Sequence, residues 1–226
     1  MTTAPSSLSP LIHLIDDDAA VLDPAALARM IDGRVKLIAT VGLRVTAWAD
    51  PLDFLARFDR QAIGAIVLDV RMPGLGGLAV LERLRAGGVD QPVIMLTGHG
   101  TVELCRRAFK SGAAEFLEKP VDDERLIEAL QVAVRQHVRS RERHQTDREA
   151  RERVRQLSER EREVLALIVA GLTNKEIARA LGGLSPRTVE THRAHLFAKL
   201  GAESLAQLIR RYAALVDEAP PPPAHP

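Results

Sequence analysis

The chain has 226 residues, of which 46% are hydrophobic and 27% charged, a composition typical of a folded globular protein and unlike that of a disordered one. No apolar run approaches the roughly 20 residues that a membrane-spanning helix needs, so we expect no membrane association. The single cysteine, Cys105, cannot form an internal disulfide, and no hydrophobic signal segment begins the sequence. These two features predict a cytoplasmic protein.

The net charge of +1 is the sum of an acidic N-terminal part and a basic C-terminal part of the sequence. Residues 1–138 carry 15 Lys and Arg against 18 Asp and Glu, whereas residues 154–216 carry ten against six. This asymmetry favours different partners for the two halves, although a difference of this size does not by itself predict nucleic-acid binding.

In the first half, short apolar runs rich in β-branched residues alternate with amphipathic stretches. We predict strands over residues 11–16, 43–48, 63–69, 92–97 and 114–118. Helical patterns lie near residues 19–31, 51–58, 76–86 and 101–111, and a further helix begins at Asp122. Buried strands joined by helices predict a doubly wound α/β domain with a five-stranded parallel sheet. Such sheets bind ligands at the carboxyl ends of their strands.

The helix that begins at Asp122 has an apolar face as far as Val138, and residues 139–153 are almost wholly polar. The interspersed arginine and glutamate predict a charged, solvated helix that links two domains. A short coiled coil is the alternative, although the segment holds few heptads.

The remaining residues, 154–216, have helical periodicity throughout. Capping boxes begin at Ser158 and Thr173, and Ser185-Pro186 fits an N-cap followed by proline. Four helices are therefore predicted, near residues 159–170, 174–181, 186–200 and 203–215. The predicted domains are an α/β domain over 10–138, a helical linker over 139–154, an all-α domain over 155–216 and a disordered proline-rich tail over 217–226.

Polar groups lie at the ends of four predicted strands. Three aspartates, residues 16–18, follow the first strand, and Asp69 ends the third. These carboxylates would converge at one edge of a parallel sheet and repel one another unless a hard divalent cation lay between them. Thr97 ends the fourth strand and Lys119 follows the fifth. A hydroxyl, an ammonium and an acidic cluster around one point can hold a phosphoryl group on a carboxylate.

Each of these residues has an ordinary structural explanation when it is taken alone. The aspartates could form a helix N-cap, Thr97 could simply end a strand, and Lys119 could be a solvated lysine. Their occurrence in order at successive strand ends favours the phosphoryl site.

Four sequence motifs resemble the signature of response-regulator receiver domains. They are Ile15-Asp16-Asp17-Asp18, Asp69-Val70-Arg71-Met72-Pro73 with Gly77, Thr97-Gly98-His99-Gly100, and Phe116-Leu117-Glu118-Lys119-Pro120. The resemblance covers residues 10–138 and implies a flavodoxin-like fold with Asp69 as the phosphate acceptor. It also implies that Mg²⁺ is held by Asp16, Asp17, Asp69 and the backbone carbonyl of Arg71.

By the same resemblance, Thr97 and Lys119 would contact the phosphoryl oxygens and Phe116 would be the aromatic residue that moves with them. The Lys119–Pro120 bond would be cis. The segment between Asp18 and Gly42 is longer than receivers usually have there. We expect the phosphorylation chemistry to be unaffected, because the turn before the second strand lies at the opposite end of the sheet.

Residues 174–200 fit a helix, a glycine-containing turn and a second helix, the arrangement of a helix-turn-helix. The polar positions of the second helix carry Arg187, Thr188, His192, Arg193 and Lys199. Residues near the start of such a helix can meet phosphates, and residues in its middle can reach base edges in the major groove. A small helical bundle with a solvated basic face is the alternative.

Further residues resemble the LuxR-type helix-turn-helix, namely the runs 157–165, 174–178 and 185–193 with Gly171. Together with the receiver motifs, they make the chain similar to the NarL/FixJ family. This resemblance implies that Glu190, Thr191 and Ala194 face the bases and that His192 contacts bases or backbone or simply packs. It implies phosphate contacts by Lys175, Arg187, Thr188, Arg193 and Lys199.

The turn of the motif, residues 181–185, is one residue longer than is usual in that family. The extra glycine in Gly182-Gly183 either loosens the angle between the helices or forms a different helix C-cap.

These features predict a phosphorylation-dependent transcriptional regulator of a two-component system rather than an enzyme. A sensor histidine kinase would supply the phosphoryl group, and double-stranded DNA would be the target. The face formed by the helix near 101–111, the strand 114–118 and the helix from Asp122 would form a homodimer after phosphorylation. RNA polymerase is a further candidate partner.

Two alternatives come from other functional classes. A phosphatase of the haloacid-dehalogenase type also uses an aspartate nucleophile with Mg²⁺, but has a second acid two residues later, where this chain has Arg71. That difference favours a long-lived phospho-aspartate over turnover. In the other alternative, the helical domain binds protein or RNA, and salt-dependent binding to duplex DNA would argue against it.

Overall fold

The computed structural model describes residues 9–17 and 42–217. Within them, the elements are β1 (Leu11–Ile15), β2 (Arg44–Trp48), α1 (Pro51–Arg57), β3 (Gly64–Asp69), α2 (Gly77–Ala86), β4 (Val93–Thr97), α3 (Val102–Lys110), β5 (Glu115–Glu118), α4 (Asp123–Arg155), α5 (Glu159–Val169), α6 (Asn174–Ala180), α7 (Pro186–Leu200) and α8 (Leu205–Asp217). The helix predicted near 19–31 and the tail from residue 218 lie outside the described residues.

The five strands form one parallel sheet in the order β2-β1-β3-β4-β5. This confirms the predicted doubly wound architecture. Ile15 of β1 lies opposite Trp48 on one side and Leu68 on the other. Because all strands run in the same direction, their carboxyl ends meet at one edge of the sheet.

Both faces of the sheet are covered by helices, so successive side chains along a strand enter different cores. Ile12 and Leu14 of β1 pack in a core with Leu126 and Leu130 of α4. Ile15 packs on the opposite face, in a core to which α1, α2 and α3 contribute. Burial on both faces explains why the strands read as continuous apolar runs.

Helix α4 begins where the sequence predicts, because the Asp122 carboxylate accepts hydrogen bonds from the N–H groups of Glu124 and Arg125. Near the end of its apolar face, Arg141 pairs with Asp90 at 2.9 Å and donates to the Arg60 carbonyl at 2.9 Å. The chain divides into two compact units between Arg141 and Glu142.

The second unit is all-helical, as predicted, and its core contains part of the predicted linker. Ala150 is only 1% exposed, and Val154 packs against the same core. The prediction of a solvated helix over 139–153 is therefore wrong for its last turns. One buried alanine among charged residues leaves no periodic apolar stripe, so the sequence pattern did not reveal this packing.

Three helices of this unit start at side-chain caps. Both predicted capping boxes are present, at Ser158 with Glu161 and at Thr173 with Glu176. Ser185 caps α7 and is followed by proline. In residues 9–17 and 42–217, no helix has the length and apolarity needed to cross a membrane.

Candidate functional site

The carboxyl edge of the sheet brings three carboxylates together. Asp16, Asp17 and Asp69 each offer one oxygen, and these oxygens lie within 4.8 Å of one another. The Lys119 Nζ lies 2.9 Å from an Asp16 oxygen and donates a hydrogen bond to Asp69 Oδ2. The side chains of Asp69 and Asp16 are only 7% and 13% exposed. Like charges therefore converge in a mostly buried place, which favours binding of a cation.

The backbone around Asp69 is held by close packing. Its Oδ1 accepts a hydrogen bond from the Arg71 N–H at 3.0 Å. Gly77, the first residue of α2, lies so near that a Cβ there would be 2.0 Å from the Asp69 carbonyl oxygen. No real Cβ tolerates that distance, so the glycine of this motif is required for the approach of α2 to the site.

The ammonium of Lys119 is stabilised by its neighbours. Burial favours its neutral form, but hydrogen bonds to Asp69 and Asp16 outweigh burial and raise the pKa of Lys119 above its ordinary value. The lysine therefore stays charged at neutral pH. The Lys119–Pro120 peptide bond is cis, as predicted.

Thr97 is fully buried, and its hydroxyl is held by the loop that follows β4. The Thr97 Oγ1 donates to the His99 carbonyl at 3.1 Å and accepts from the His99 N–H at 3.2 Å. Phe116 is half-buried and packs against the core on the side of α1 to α3.

Sequence reasoning missed one contact of this loop. The exposed Glu118 carboxylate accepts a hydrogen bond from the Gly100 N–H at 3.0 Å. Its position directly before Lys119, at the carboxyl end of β5, was the only sequence signal that could have suggested it.

In the helical unit, α6 and α7 form the predicted helix-turn-helix. The outer surface of these helices carries most of the predicted DNA-contacting residues. Exposed among them are Lys175, Arg187, Thr188, Glu190, Thr191, Ala194 and Lys199, whereas His192 and Arg193 are half-buried. Val189, Leu196 and Leu200 of α7 face the core and are fully buried.

The turn between α6 and α7 contains two left-handed glycines, Gly182 at φ 82° and Gly183 at φ 79°. The Gly183 N–H donates to the Ala178 carbonyl at 3.0 Å, and the Gly182 N–H donates to the Arg179 carbonyl at 3.3 Å. This pair of bonds is a Schellman motif. The extra glycine is therefore accommodated in the C-cap of α6.

Comparison with known proteins agrees with both halves of this geometry. Residues 12–131 match the response regulator receiver domain, and residues 155–212 match the luxR family of bacterial regulatory proteins. The transcriptional regulatory protein FixJ of Bradyrhizobium diazoefficiens is 40% identical over 199 residues, which cover 88% of this chain and 92% of FixJ. The chain is a response regulator of the NarL/FixJ family.

Other members of the family resemble this response regulator over nearly its full length. The tetrathionate response regulatory protein TtrR of Salmonella typhimurium is 38% identical, with 89% of this chain and 91% of TtrR covered. The structure of the response regulator StyR superposes with a TM-score of 0.75 at 31% identity, covering 91% of this chain and 99% of StyR. The structure of full-length FixJ from B. japonicum gives a TM-score of 0.52 at 37% identity, covering 93% of this chain and 98% of FixJ.

One predicted DNA-contacting residue of this response regulator has a partner within the protein. The Lys199 Nζ donates to Glu161 Oε2 at 2.7 Å, and the same carboxylate oxygen accepts the Ser158 N–H at 2.8 Å. Burial disfavours the charged form of Glu161, but the hydrogen bonds from Lys199 and Ser158 outweigh burial and lower its pKa to about 2. This carboxylate joins α5 to α7, a contact that the sequence did not suggest.

Proposed function

We propose that this regulator accepts a phosphoryl group on Asp69 from a sensor histidine kinase and thereby changes its binding to double-stranded DNA. The observation that carries the proposal is the meeting of Asp16, Asp17, Asp69 and Lys119 at one edge of the sheet. The chain also holds a luxR-type unit, so the response to phosphorylation would be a change in transcription.

The acidic cluster fits a resident Mg²⁺. Three carboxylate oxygens within 4.8 Å form an all-oxygen donor set, which is the kind that Mg²⁺ prefers. The proposed ligands are Asp16, Asp17, Asp69 and the backbone carbonyl of Arg71. When bound, the ion would neutralise charge on the phosphoryl oxygens.

The proposed transfer uses Asp69 as the nucleophile. One of its carboxylate oxygens attacks the phosphorus of a phosphohistidine, an O–P bond forms, and the N–P bond breaks with the electron pair returning to the imidazole. Lys119 already contacts Asp69 and would follow the negative charge onto a phosphoryl oxygen. The Thr97 hydroxyl would break its hydrogen bond to the His99 carbonyl and donate to a second phosphoryl oxygen. Phe116 would move together with Thr97.

A face formed by α3, β5 and α4 is the proposed homodimer interface. It contains a groove of about 690 Å³, and the apolar side chains of Val102 and Phe109 on α3 are 88% and 47% exposed. Two copies would present two DNA-binding units to a two-fold operator. To shift a population from 1:99 to 99:1, phosphorylation must favour the active state by roughly 5.5 kcal/mol.

On the DNA side, the proposed base contacts are Glu190, Thr191 and Ala194, with His192 at bases or backbone. The proposed phosphate contacts are Lys175, Arg187, Thr188 and Arg193. Lys199 is a further proposed phosphate contact, since its side chain is 43% exposed and an ammonium has three donors, one of which is bonded to Glu161. The bound regulator would act on RNA polymerase, in the cytoplasm where the chromosome is accessible.

Incubation with acetyl phosphate and Mg²⁺, followed by intact mass spectrometry, tests the acceptor. We expect the wild type to gain one phosphoryl group that alkali removes, as for an acyl phosphate, and Asp69→Asn to gain none. Uptake of a phosphoryl group by Asp69→Asn would refute the site. Continuous release of phosphate until the acetyl phosphate is consumed would favour the phosphatase alternative. Binding of RNA or protein, without salt-dependent binding to duplex DNA, would refute the proposed output.

A further inference from the structure

The C-terminal end of α7 is held from outside the helix. The Leu200 carbonyl accepts hydrogen bonds from Arg153 Nη1 at 2.9 Å and from the Tyr212 hydroxyl at 2.6 Å. The last carbonyls of a helix have no partner within it, so outside donors fix the position of this end. The arginine also places positive charge at the negative end of the helix dipole.

Gly201, the residue that follows α7, makes room for the guanidinium. It has φ 63°, and a Cβ there would lie 2.5 Å from Arg153 Nη1. Glycine at this position therefore allows both the left-handed end of the helix and the approach of Arg153.

The backbone that carries Arg153 is held in place by packing. It lies on the last turns of α4, where Ala150 is 1% exposed and Val154 packs against the core of the helical unit. Arg153 also lies before residue 155, where the luxR-type match begins. The segment that carries it was predicted to be a solvated linker, yet it is part of the unit that contains α7.

We propose that Arg153 is a positioning residue for DNA recognition, which holds the C-terminal end of α7 so that the exposed residues of that helix meet the DNA in one orientation. The inference rests on the proposed function of α7 as the recognition helix. In this proposal Arg153 acts through its bond to the Leu200 carbonyl, so its loss should disturb the geometry of binding without removing a phosphate contact.

The test uses the full chain and a duplex selected by the wild-type protein from random DNA. The variants are Arg153→Ala, Arg153→Lys and the control Arg155→Ala, whose exposed side chain lies on the same helix and is 3.6 Å from Glu152. Fluorescence anisotropy at several salt concentrations gives both the affinity and the slope of its logarithm against log salt.

We expect Arg153→Ala to weaken operator binding by roughly tenfold, the value of one charge-assisted hydrogen bond. The ratio of selected to mismatched duplex should fall as well, and the salt slope should stay at the wild-type value. Arg153→Lys should recover part of the loss, and Arg155→Ala should bind like the wild type. Unchanged affinity in Arg153→Ala, or a salt slope reduced by about one unit as for a lost phosphate contact, would overturn the proposal.

Gly201→Ala provides a second route if Arg153→Ala unfolds the helical unit. The Cβ of the new alanine would displace the guanidinium of Arg153. In a chain that carries Arg153→Lys there is no guanidinium to displace. We expect the losses in operator affinity from Gly201→Ala and Arg153→Lys to be less than additive, and additive losses would contradict the inference. Failure of the wild type itself to prefer any duplex would instead refute the proposed function.

Discussion

At the carboxyl edge of the sheet, one oxygen each of Asp16, Asp17 and Asp69 lies within 4.8 Å of the others, and Lys119 pairs with Asp16 and Asp69. In the helical unit, by contrast, the buried carboxylate of Glu161 receives hydrogen bonds from Lys199 and from the Ser158 N–H. The first arrangement concentrates like charges, and the second matches a carboxylate with donors.

The difference corresponds to two uses of charge. Converging carboxylates are stabilised when a cation binds, so the pocket of the sheet unit gains most from a ligand. The Glu161 contacts stabilise the folded protein without any ligand, because they join α5 to α7. Substitutions of the pocket carboxylates should therefore change ligand binding, and those of Glu161 and its partners should change stability.

The largest expected effect comes from Gly77→Ala. The new Cβ would lie 2.0 Å from the Asp69 carbonyl, so α2 or the end of β3 must shift. We expect a loss of about 3 kcal/mol in the free energy of unfolding. Urea unfolding followed by Trp48 fluorescence measures it.

Gly76→Ala is the matched control, since its Cβ would meet the nearest atom at an ordinary 3.5 Å. It should cost at most about 1 kcal/mol, because Gly76 is the N-cap of α2 and alanine caps a helix less well than glycine does. Equal stability of the two variants would show that the approach of Gly77 to Asp69 is not constrained.

A smaller loss, about 2 kcal/mol, is expected for Glu161→Gln, because charge-assisted hydrogen bonds to Lys199 and Ser158 are weakened. The folded pKa of about 2 lies below the ordinary 4.5, so this contribution is present above pH 4.5 and is lost as the pH falls toward 2. Thermal unfolding by far-UV circular dichroism at neutral and acidic pH tests both statements.

Glu152→Gln serves as the control for that variant. Its carboxylate is 62% exposed and 3.6 Å from Arg155, so its loss should cost at most about 1 kcal/mol. A Glu161→Gln protein as stable as Glu152→Gln at neutral pH would remove the contrast between the two units.

In the pocket, Asp17→Asn should weaken Mg²⁺ binding at least roughly tenfold, the loss expected even for residues that only support metal ligands. The fluorescence of Trp48, the chain's single tryptophan, is a suitable reporter because its carbonyl accepts the Asp16 N–H at 3.2 Å. Asp53→Asn, on the exposed surface of α1, should bind Mg²⁺ like the wild type. Equal Mg²⁺ affinities in the two variants would refute the metal site.

The smallest effect concerns His13, a buried residue of β1 that accepts a hydrogen bond from Trp48 Nε1. Burial, opposed by the charge of Asp59, lowers the pKa of His13 to about 4. The unfolded chain therefore takes up the proton first, and stability is full above pH 6.5 and falls as the pH drops toward 4.

Between pH 7 and pH 5.5 this difference amounts to about 1 kcal/mol. Urea unfolding followed by Trp48 fluorescence should show that loss in the wild type and not in His13→Phe. The same pH dependence in both proteins would assign it to other groups.

The sheet and the pocket were predictable because their signals are local. Buried parallel strands leave apolar runs, and the groups of the pocket stand at the strand ends, as Asp69 and Lys119 do. The helix starts were predictable for the same reason, since a cap and its partner lie within three residues, as Ser158 and Glu161 do.

Contacts between distant residues could not be predicted where no strand end or sequence motif marks both partners. Arg153 and Leu200 are 47 residues apart, and Glu161 and Lys199 are 38 apart, so nothing in the local pattern joins them. The turn at Gly182-Gly183 also needed the backbone angles, because a second glycine fits either a looser turn or a longer cap.

The central claim is that a phosphoryl group on Asp69 controls DNA binding by α7. The most direct measurement compares the affinity of the wild type and of Asp69→Asn for a selected duplex, before and after treatment with acetyl phosphate and Mg²⁺. We predict that treatment tightens binding of the wild type at least roughly tenfold, a coupling within the usual range for switches, and leaves Asp69→Asn unchanged. Equal tightening in both proteins, or none in a fully phosphorylated wild type, would contradict the claim.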